Sequence, residues 1–183
     1  HGLHIYKRDH LHNVITPIRK GDGPQMYDIC SIYSDRKLYG YIVDNCIREL
    51  QSYAFDAFVS VESRGFPLMG SLARELDIPS FLIRKKGKSI GLTVISTQYS
   101  RSHTPDEVCT IEIPNYKELH GKSIAFIDDG LSSGQTTLAA KELLDKMDCK
   151  IVCCVYMVQH HYYPLNDKYV DNFGKNTITC FDL

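Results

Sequence analysis

The chain has 183 residues, of which 43% are hydrophobic and 23% are charged, and its formal net charge at pH 7 is -1. This length predicts a single domain, and the apolar content is sufficient for a core, which excludes a disordered chain. A near-neutral charge argues against general nucleic-acid binding, and apolar runs such as 151–158 are too short to span a membrane.

The first twelve residues carry four of the eight histidines and lack the apolar stretch of a secretory signal. We expect a solvated arm or the remnant of a tag there, rather than a metal site. The seven cysteines form no CxxC pair, which is typical of thiols in a reducing compartment and not of a disulfide framework. The expected location is the cytoplasm, with no membrane and no nucleic-acid partner.

Apolar periodicity predicts helices and strands that alternate along the chain. In order, they are a helix over 35–51, a strand over 57–63, a helix over 67–77, strands over 80–85 and 123–129, a helix over 135–147, and strands over 150–158 and 177–183. Residues 89–107 are polar and weakly patterned, and so long a connection is expected to be functional or mobile. The alternation predicts a parallel sheet covered on both faces, with ligands at the carboxyl ends of its strands.

The segment IAFIDDGLSSGQTTLAA (124–140) places two carboxylates, Asp128 and Asp129, at the end of an apolar strand. Because like charges oppose each other's ionisation, a cation or several hydrogen-bond donors are expected beside them. Residues 132–136 then open a helix whose free N–H groups and dipole suit a phosphate. Capping-box spacing of Ser132 and Gln135 offers a structural alternative, and the loop alone fits both. A sugar phosphate held by acids and helix together accounts for both halves of the segment.

Together with three other segments, this one resembles the phosphoribosyl pyrophosphate (PRPP) motif of the type I phosphoribosyltransferases. VESRGF (61–66) is similar to the family's pyrophosphate loop, LIRKKGK (82–88) to its basic segment, and GPQMYDICSIYSD (23–35) to the purine-site stretch of its adenine branch. The order and spacing of the four segments match over roughly residues 20–160.

The resemblance implies an α/β type I phosphoribosyltransferase fold, in which helices flank a central, mostly parallel sheet beside a small hood and a flexible catalytic loop. One domain would cover 1–183, with a hood and base-site segment over 1–34 and the mobile loop over 89–107. The implied reaction converts a purine base, with adenine favoured, and PRPP into AMP and pyrophosphate in purine salvage. Mg²⁺ would be bound through PRPP, with Asp128 and Asp129 as candidate ligands, and the implied assembly is a homodimer.

The resemblance also assigns residues to the parts of the substrate. Those implied to bind the ribose and 5'-phosphate are Asp128, Asp129, Ser132, Ser133, Gly134, Gln135 and Thr136. Those implied to bind pyrophosphate are Glu62, Ser63, Arg64, Gly65, Arg84, Lys85 and Lys88, with a cis peptide between the first two. Those implied to bind the base are Gln25, Met26 and Tyr27, and Tyr99 would close over the site with the loop.

Several positions depart from the family pattern. Gln135 replaces a glycine of the phosphate turn, and Gly130 stands where the family prefers a bulky aliphatic residue. Met26 takes the place of a stacking aromatic residue, and Tyr27 that of an arginine. These two changes weaken adenine as the assigned base, so a transferase for hypoxanthine, guanine or xanthine stays open.

The catalytic loop can be aligned in two ways. Forward from Ser96, Gln98 and Tyr99 fall on the family's catalytic Glu-Tyr pair, and glutamine cannot transfer a proton. Backward from TIEI (110–113), Asp106 and Glu107 fall near that place. Either Glu107 takes the acid's role or the chemistry is slow or absent. The latter would make the protein a non-catalytic PRPP or nucleotide sensor, and no DNA-binding extension supports that role.

Overall fold

The computed structural model describes residues 8–18, 26–101 and 104–183. Helices α1 to α5 run over Arg8–Val14, Arg36–Leu50, Phe66–Leu76, Gln135–Asp145 and Asp167–Phe173. Strands β1 to β9 run over Thr16–Ile18, Met26–Asp28, Ala57–Val61, Ser80–Lys85, Val94–Arg101, Thr104–Pro114, Ser123–Leu131, Lys150–Gln159 and Thr177–Asp182. Short 3₁₀ helices run over Ile29–Ser34, Lys117–Leu119 and Gly174–Asn176.

Seven strands form one sheet in the order β5-β6-β4-β3-β7-β8-β9. Five neighbouring strands run parallel to one another, in the order β4, β3, β7, β8 and β9. Strands β5 and β6 form an antiparallel hairpin, and β6 pairs with the free edge of β4. Strands β1 and β2 pair separately as a small antiparallel sheet. The predicted α/β fold with a mostly parallel sheet is confirmed.

The core lies on both faces of the large sheet. One cluster joins α1, α2 and α3 to one face, and the other joins α4 and α5 to the opposite face. The central strand β3 is buried along its whole length, as expected for a parallel strand covered on both sides. Helix α2 begins where the Asp35 side chain accepts N–H groups of its first turn, and its apolar stripe faces the core.

One sequence-based expectation is wrong, and another segment is more regular than expected. Residues 8–14 form α1, and Leu11 and Ile15 are buried in the core, so this part of the histidine-rich segment is not a solvated arm. Residues 94–101 and 104–107, which the sequence analysis treated as part of a connection, belong to β5 and β6, and a functional or mobile role of 89–107 stays a prediction. Alternating burial at Ile95, Thr97 and Tyr99 gives β5 a strand period, which hydroxyl and amide side chains between them conceal.

None of the helices in the described residues is both long and apolar enough to cross a lipid bilayer. All seven cysteines are free thiols, and Cys46, Cys149, Cys153 and Cys154 are buried.

Candidate functional site

The site lies at the carboxyl ends of β3, β7 and β8, which are neighbours in the sheet. Strand β3 leads into the turn that carries Arg64 and Gly65, and β7 carries the acidic pair just before its last two residues. A Cβ added to Gly65 would lie 2.8 Å from Cα of Asp128, so the two turns are in direct backbone contact. The parallel pairing therefore joins two segments that are more than sixty residues apart in sequence.

Arg64 is the cation beside the two carboxylates. Its Nε lies 3.0 Å from Oδ2 of Asp129, which is almost fully buried, while the Arg64 side chain is 61% exposed. Within the described part of the chain, Oδ2 has no partner with hydrogen-bond geometry, so this contact is an electrostatic one. Oδ1 of Asp128 accepts the N–H of Asp129 at 2.9 Å. Burial, and then the charge of Asp129, raise the pKa of Asp128 well above its ordinary value.

Two tyrosines that the sequence analysis did not single out hold the arginine turn in place. The hydroxyl of Tyr33 donates to the carbonyl oxygen of Arg64 at 2.6 Å, and that of Tyr39 donates to the carbonyl of Pro67 at 2.9 Å. Both tyrosines lie about thirty residues before the turn, so only the fold brings them there. Tyr33 belongs to the purine-site segment, the one sequence signal that could have indicated it.

The second basic segment is oriented by Glu62. Its Oε2 accepts hydrogen bonds from Nε of Arg84 at 3.1 Å and from the N–H of Lys85 at 3.0 Å. The hydrogen bond from Lys85, followed by that from Arg84, lowers the pKa of Glu62. The peptide between Glu62 and Ser63 is cis, as the resemblance implied. A carboxylate has no donor for a pyrophosphate, so Glu62 acts here by positioning cations.

Glu112, on β6, is a further carboxylate that the sequence analysis missed. It is 5% exposed and accepts the backbone N–H groups of Gly87, Lys88 and Ser89 at 2.9 to 3.1 Å. The hydrogen bonds from Ser89 and then Gly87 lower its pKa. Glu112 thereby fixes the turn after β4 and leaves the Lys88 side chain exposed.

The phosphate turn leads into α4 without a side-chain cap. The N-cap is Gly134, with φ of 84°, and this position makes no side-chain cap hydrogen bond. The capping-box interpretation of Ser132 and Gln135 is therefore wrong. A Cβ on Gly134 would lie 2.5 Å from Cγ of Tyr169, so only glycine fits there. Ser132, Ser133, Gln135 and Thr136 surround this helix start and are all partly exposed.

The two alignments of the catalytic loop give residues with different surroundings. Tyr99 and Glu107 line one cavity of about 350 Å³ together with Glu62 and Lys85. Gln98, the alternative, is exposed and pairs with Thr110 across the hairpin. The structure thus brings Glu107, and not Gln98, to the cavity that the basic segment borders.

The residues assigned to the base lie in β2 and just before it. Gln25 lies outside the described residues. Met26 is 37% exposed, and Tyr27 packs edge-on against His12 with ring centroids 5.7 Å apart. No histidine was assigned to this region from the sequence.

Known proteins are similar to this chain in sequence and in fold. An adenine phosphoribosyltransferase of Wolinella succinogenes is 34% identical over 133 residues, which cover 72% of each chain. The structure of an APRTase from Giardia lamblia in complex with 9-deazaadenine has a TM-score of 0.84 at 21% identity, covering 96% of this chain and 97% of that one. The adenine phosphoribosyl transferase of Trypanosoma brucei in complex with AMP, pyrophosphate and ribose-5-phosphate has a TM-score of 0.78 at 20% identity, covering 96% and 78%.

A family model described as the phosphoribosyl transferase domain matches residues 37–181. That range contains both carboxylates, the phosphate turn and the two basic segments. Because the match spans most of the chain, this protein belongs to the phosphoribosyl transferase family.

Proposed function

We propose that the protein is an adenine phosphoribosyltransferase, which converts adenine and PRPP into AMP and pyrophosphate. The observation that carries this proposal is that two adjacent carboxylates, one buried and one half-buried, precede a helix start that has no side-chain cap where β7 leads into α4. Cationic side chains on the neighbouring strand ends supply the charge that a polyanionic substrate needs. The names of the related sequences favour adenine as the base.

The ribose phosphate would bind between these two features. Asp128 and Asp129 would accept hydrogen bonds from the ribose hydroxyls, and the first turn of α4 would bind the 5'-phosphate. The hydroxyls of Ser132, Ser133 and Thr136 and the amide of Gln135 can add donors to the phosphate. Catalysis would then rest on fixing the sugar relative to the base and the leaving group.

Pyrophosphate would leave toward the basic segments. Arg64, Arg84, Lys85 and Lys88 would stabilise the negative charge that develops on the leaving group, since they are placed before the reaction begins. The Ser63–Gly65 turn can add backbone N–H groups to this set. The cavity that Glu107 and Tyr99 line lies on the β4 side, so Glu107 would exchange a proton with the purine only when the β5–β6 hairpin closes over the site. Tyr99 would close with it and help to exclude water.

Mg²⁺ fits this site as a partner of the substrate. In the described part of the chain, no three side chains of His, Cys, Asp or Glu are grouped closely enough to hold a metal ion. Mg²⁺ commonly keeps several waters and binds through one or two carboxylates plus substrate phosphates. Asp128 and Asp129 would provide such carboxylates, and the bound ion would neutralise part of the substrate charge.

Two further properties belong to the proposal. A cytoplasmic location is supported by seven free thiols. A homodimer is supported by the exposed apolar side chains of Ile90, Leu92 and Val108, which are 89%, 55% and 65% exposed. Sedimentation equilibrium would test the assembly, and a mass of one chain would contradict the dimer.

The decisive assay is the release of pyrophosphate from PRPP and Mg²⁺ with adenine, and in parallel with hypoxanthine, guanine and xanthine. We expect release with adenine. If pyrophosphate is released only with one of the other bases, the assigned base is wrong, but the type of reaction stands. Binding of PRPP by calorimetry without turnover on any base would contradict the enzyme and favour a sensor.

The double variant with Asp128→Asn and Asp129→Asn provides the matching test of the ribose contact. It replaces both carboxyl groups by amides of nearly the same shape, so we expect weaker PRPP binding and slower turnover in a folded protein. Unchanged PRPP kinetics would refute the contact.

A further inference from the structure

The space beside Gly130 is filled by a histidine from the next strand. A Cβ added at Gly130 would lie 2.9 Å from Nε2 and 3.1 Å from Cδ2 of His160. The backbone N–H of His160 also donates to the carbonyl of Leu131 at 2.7 Å, which fixes the residue at the end of β7. A side chain at residue 130 would clash with the imidazole, so glycine at this position leaves the space that His160 fills.

His160 and Tyr162 form a partly buried aromatic pair. Their rings are stacked, with centroids 5.1 Å apart and an interplanar angle of 21°. Nδ1 of His160 and the hydroxyl of Tyr162 are buried without a hydrogen-bond partner in the part of the chain that the structure describes. Buried polar atoms nearly always have partners, so two such atoms on one stacked pair indicate a ligand contact or bound water.

The surroundings of this pair connect it to both halves of the site. Burial lowers the pKa of the His160 imidazole and favours its neutral form, while the charge of Asp129 opposes this shift. Burial, with a contribution from Tyr27, raises the pKa of Tyr162 to about 12. A Cβ at Gly130 would also lie 3.1 Å from Cδ1 of Ile29, the residue after β2, so His160 lies between the end of β7 and the segment that contains Met26 and Tyr27.

The sheet order indicates which part of a substrate would meet this pair. The basic segments follow β3 and β4 on one side of β7, whereas His160 follows β8 on the other side. If the ribose is held at the end of β7, its leaving group points toward β3. An incoming nucleophile attacks the anomeric carbon from the opposite face in a direct displacement, which is the face toward β8.

We propose that His160 is a specificity-determining residue for the nucleobase, and that its Nδ1, with the Tyr162 hydroxyl, hydrogen-bonds to the polar edge of a purine. This inference rests on the proposed function, because it requires a base to be bound next to the ribose. A neutral imidazole offers one donor and one acceptor, and a hydroxyl offers both, so the pair can match mixed donors and acceptors on a purine.

The test uses two substitutions of His160 and one matched control. His160→Phe keeps the ring and its stacking on Tyr162 but removes Nδ1, whereas His160→Asn keeps a polar atom near the Nδ1 position. The control is His161→Phe, because His161 is exposed and its Nε2 lies 3.5 Å from Oδ1 of Asp182 at the surface. The KM for adenine and the KM for PRPP are measured separately, and thermal unfolding verifies that each variant is folded.

We expect His160→Phe to raise the KM for adenine about tenfold and to leave the KM for PRPP within about twofold. His160→Asn should recover most of the loss, and His161→Phe should match the wild type. A wild-type KM for adenine in His160→Phe, or a parallel rise of both KM values, would overturn the inference while the transferase assignment stands. An inactive wild-type enzyme with every base would instead overturn the proposed function, and the inference with it.

Discussion

Replacing Ser132 and Thr136 by alanine distinguishes a phosphate site from a helix cap. The structure gives α4 no side-chain cap, so these hydroxyls contribute little to the folded state. A cap residue is worth about 1 kcal/mol, which for a chain of this size corresponds to about 2–4 °C in melting temperature. We therefore expect Ser132→Ala and Thr136→Ala to melt within about 1 °C of the wild type.

The same substitutions should weaken the binding of ribose 5-phosphate. A hydrogen bond to a charged group is worth about 1.5–3 kcal/mol, which corresponds to about a 10- to 150-fold change in Kd. Calorimetric titration with ribose 5-phosphate measures this directly, without any turnover. Ribose 5-phosphate carries the phosphate without a base or pyrophosphate, so its Kd reports on the sugar-phosphate contact with the helix start.

Asp35→Ala is the reciprocal control, because Asp35 caps α2 by accepting the N–H groups of Lys37 at 3.0 Å and Leu38 at 2.9 Å. It should lower the melting temperature by about 2–4 °C and leave the Kd for ribose 5-phosphate unchanged. If Ser132→Ala lowers the melting temperature like this control and leaves the Kd unaltered, the turn is a cap after all and the phosphate assignment fails.

Three further substitutions test other parts of the site. Glu112→Gln should raise the KM for PRPP about tenfold, since the turn before Lys88 loses its anionic acceptor. Because folding lowers the pKa of Glu112, its carboxylate stabilises the fold fully above the ordinary pKa of about 4.3, and this stabilisation is lost as the pH falls below that value. The melting temperatures of the variant and the wild type should therefore differ at about pH 7 and converge at about pH 3. A difference that does not depend on pH would contradict this. Gly134→Ala should lower the melting temperature by about 5–15 °C, because it combines a positive φ with a clash against Tyr169, and an unchanged melting curve would refute the tight packing. Glu107→Gln should lower kcat at least about tenfold in a pyrophosphate-release assay, whereas an unaffected rate excludes Glu107 as the proton donor.

The sequence predicted the structure best where one short segment contains both a clear strand–turn–helix pattern and the candidate binding residues. An apolar strand that ends in two acids and a small-residue turn predicted β7, the turn and α4 within a few residues of their observed bounds. The main exception within this segment was the capping box, because Ser132 and Gln135 have the spacing but Gly134 takes the cap position.

Contacts between distant segments could not be predicted from the sequence. Glu112 has the spacing of an ordinary strand residue, and only the β4–β6 register places it against the turn at residues 87–89. Tyr33 and His160 reach the site for the same reason, because helices and strands place side chains from separate parts of the chain at one sheet edge. The β5–β6 hairpin was not predicted, because exposed polar residues such as Gln98 alternate with the inward-facing residues and make the segment polar on average.

The ion pair between Arg64 and Asp129 explains how one edge of the sheet can hold two adjacent acids and still receive a polyanion. Burial raises the pKa of Asp128 and so favours its neutral form, while Asp129 has a guanidinium 3.0 Å away, so the acids need not both be charged and unpaired. Nε makes this contact, and a guanidinium has further donors on a side chain that is mostly exposed. Arg64 can therefore bind pyrophosphate oxygens with its outer N–H groups while it stays near the acid that would hold the ribose. A lysine, with a single point of charge, could not link the two halves of the substrate in this way.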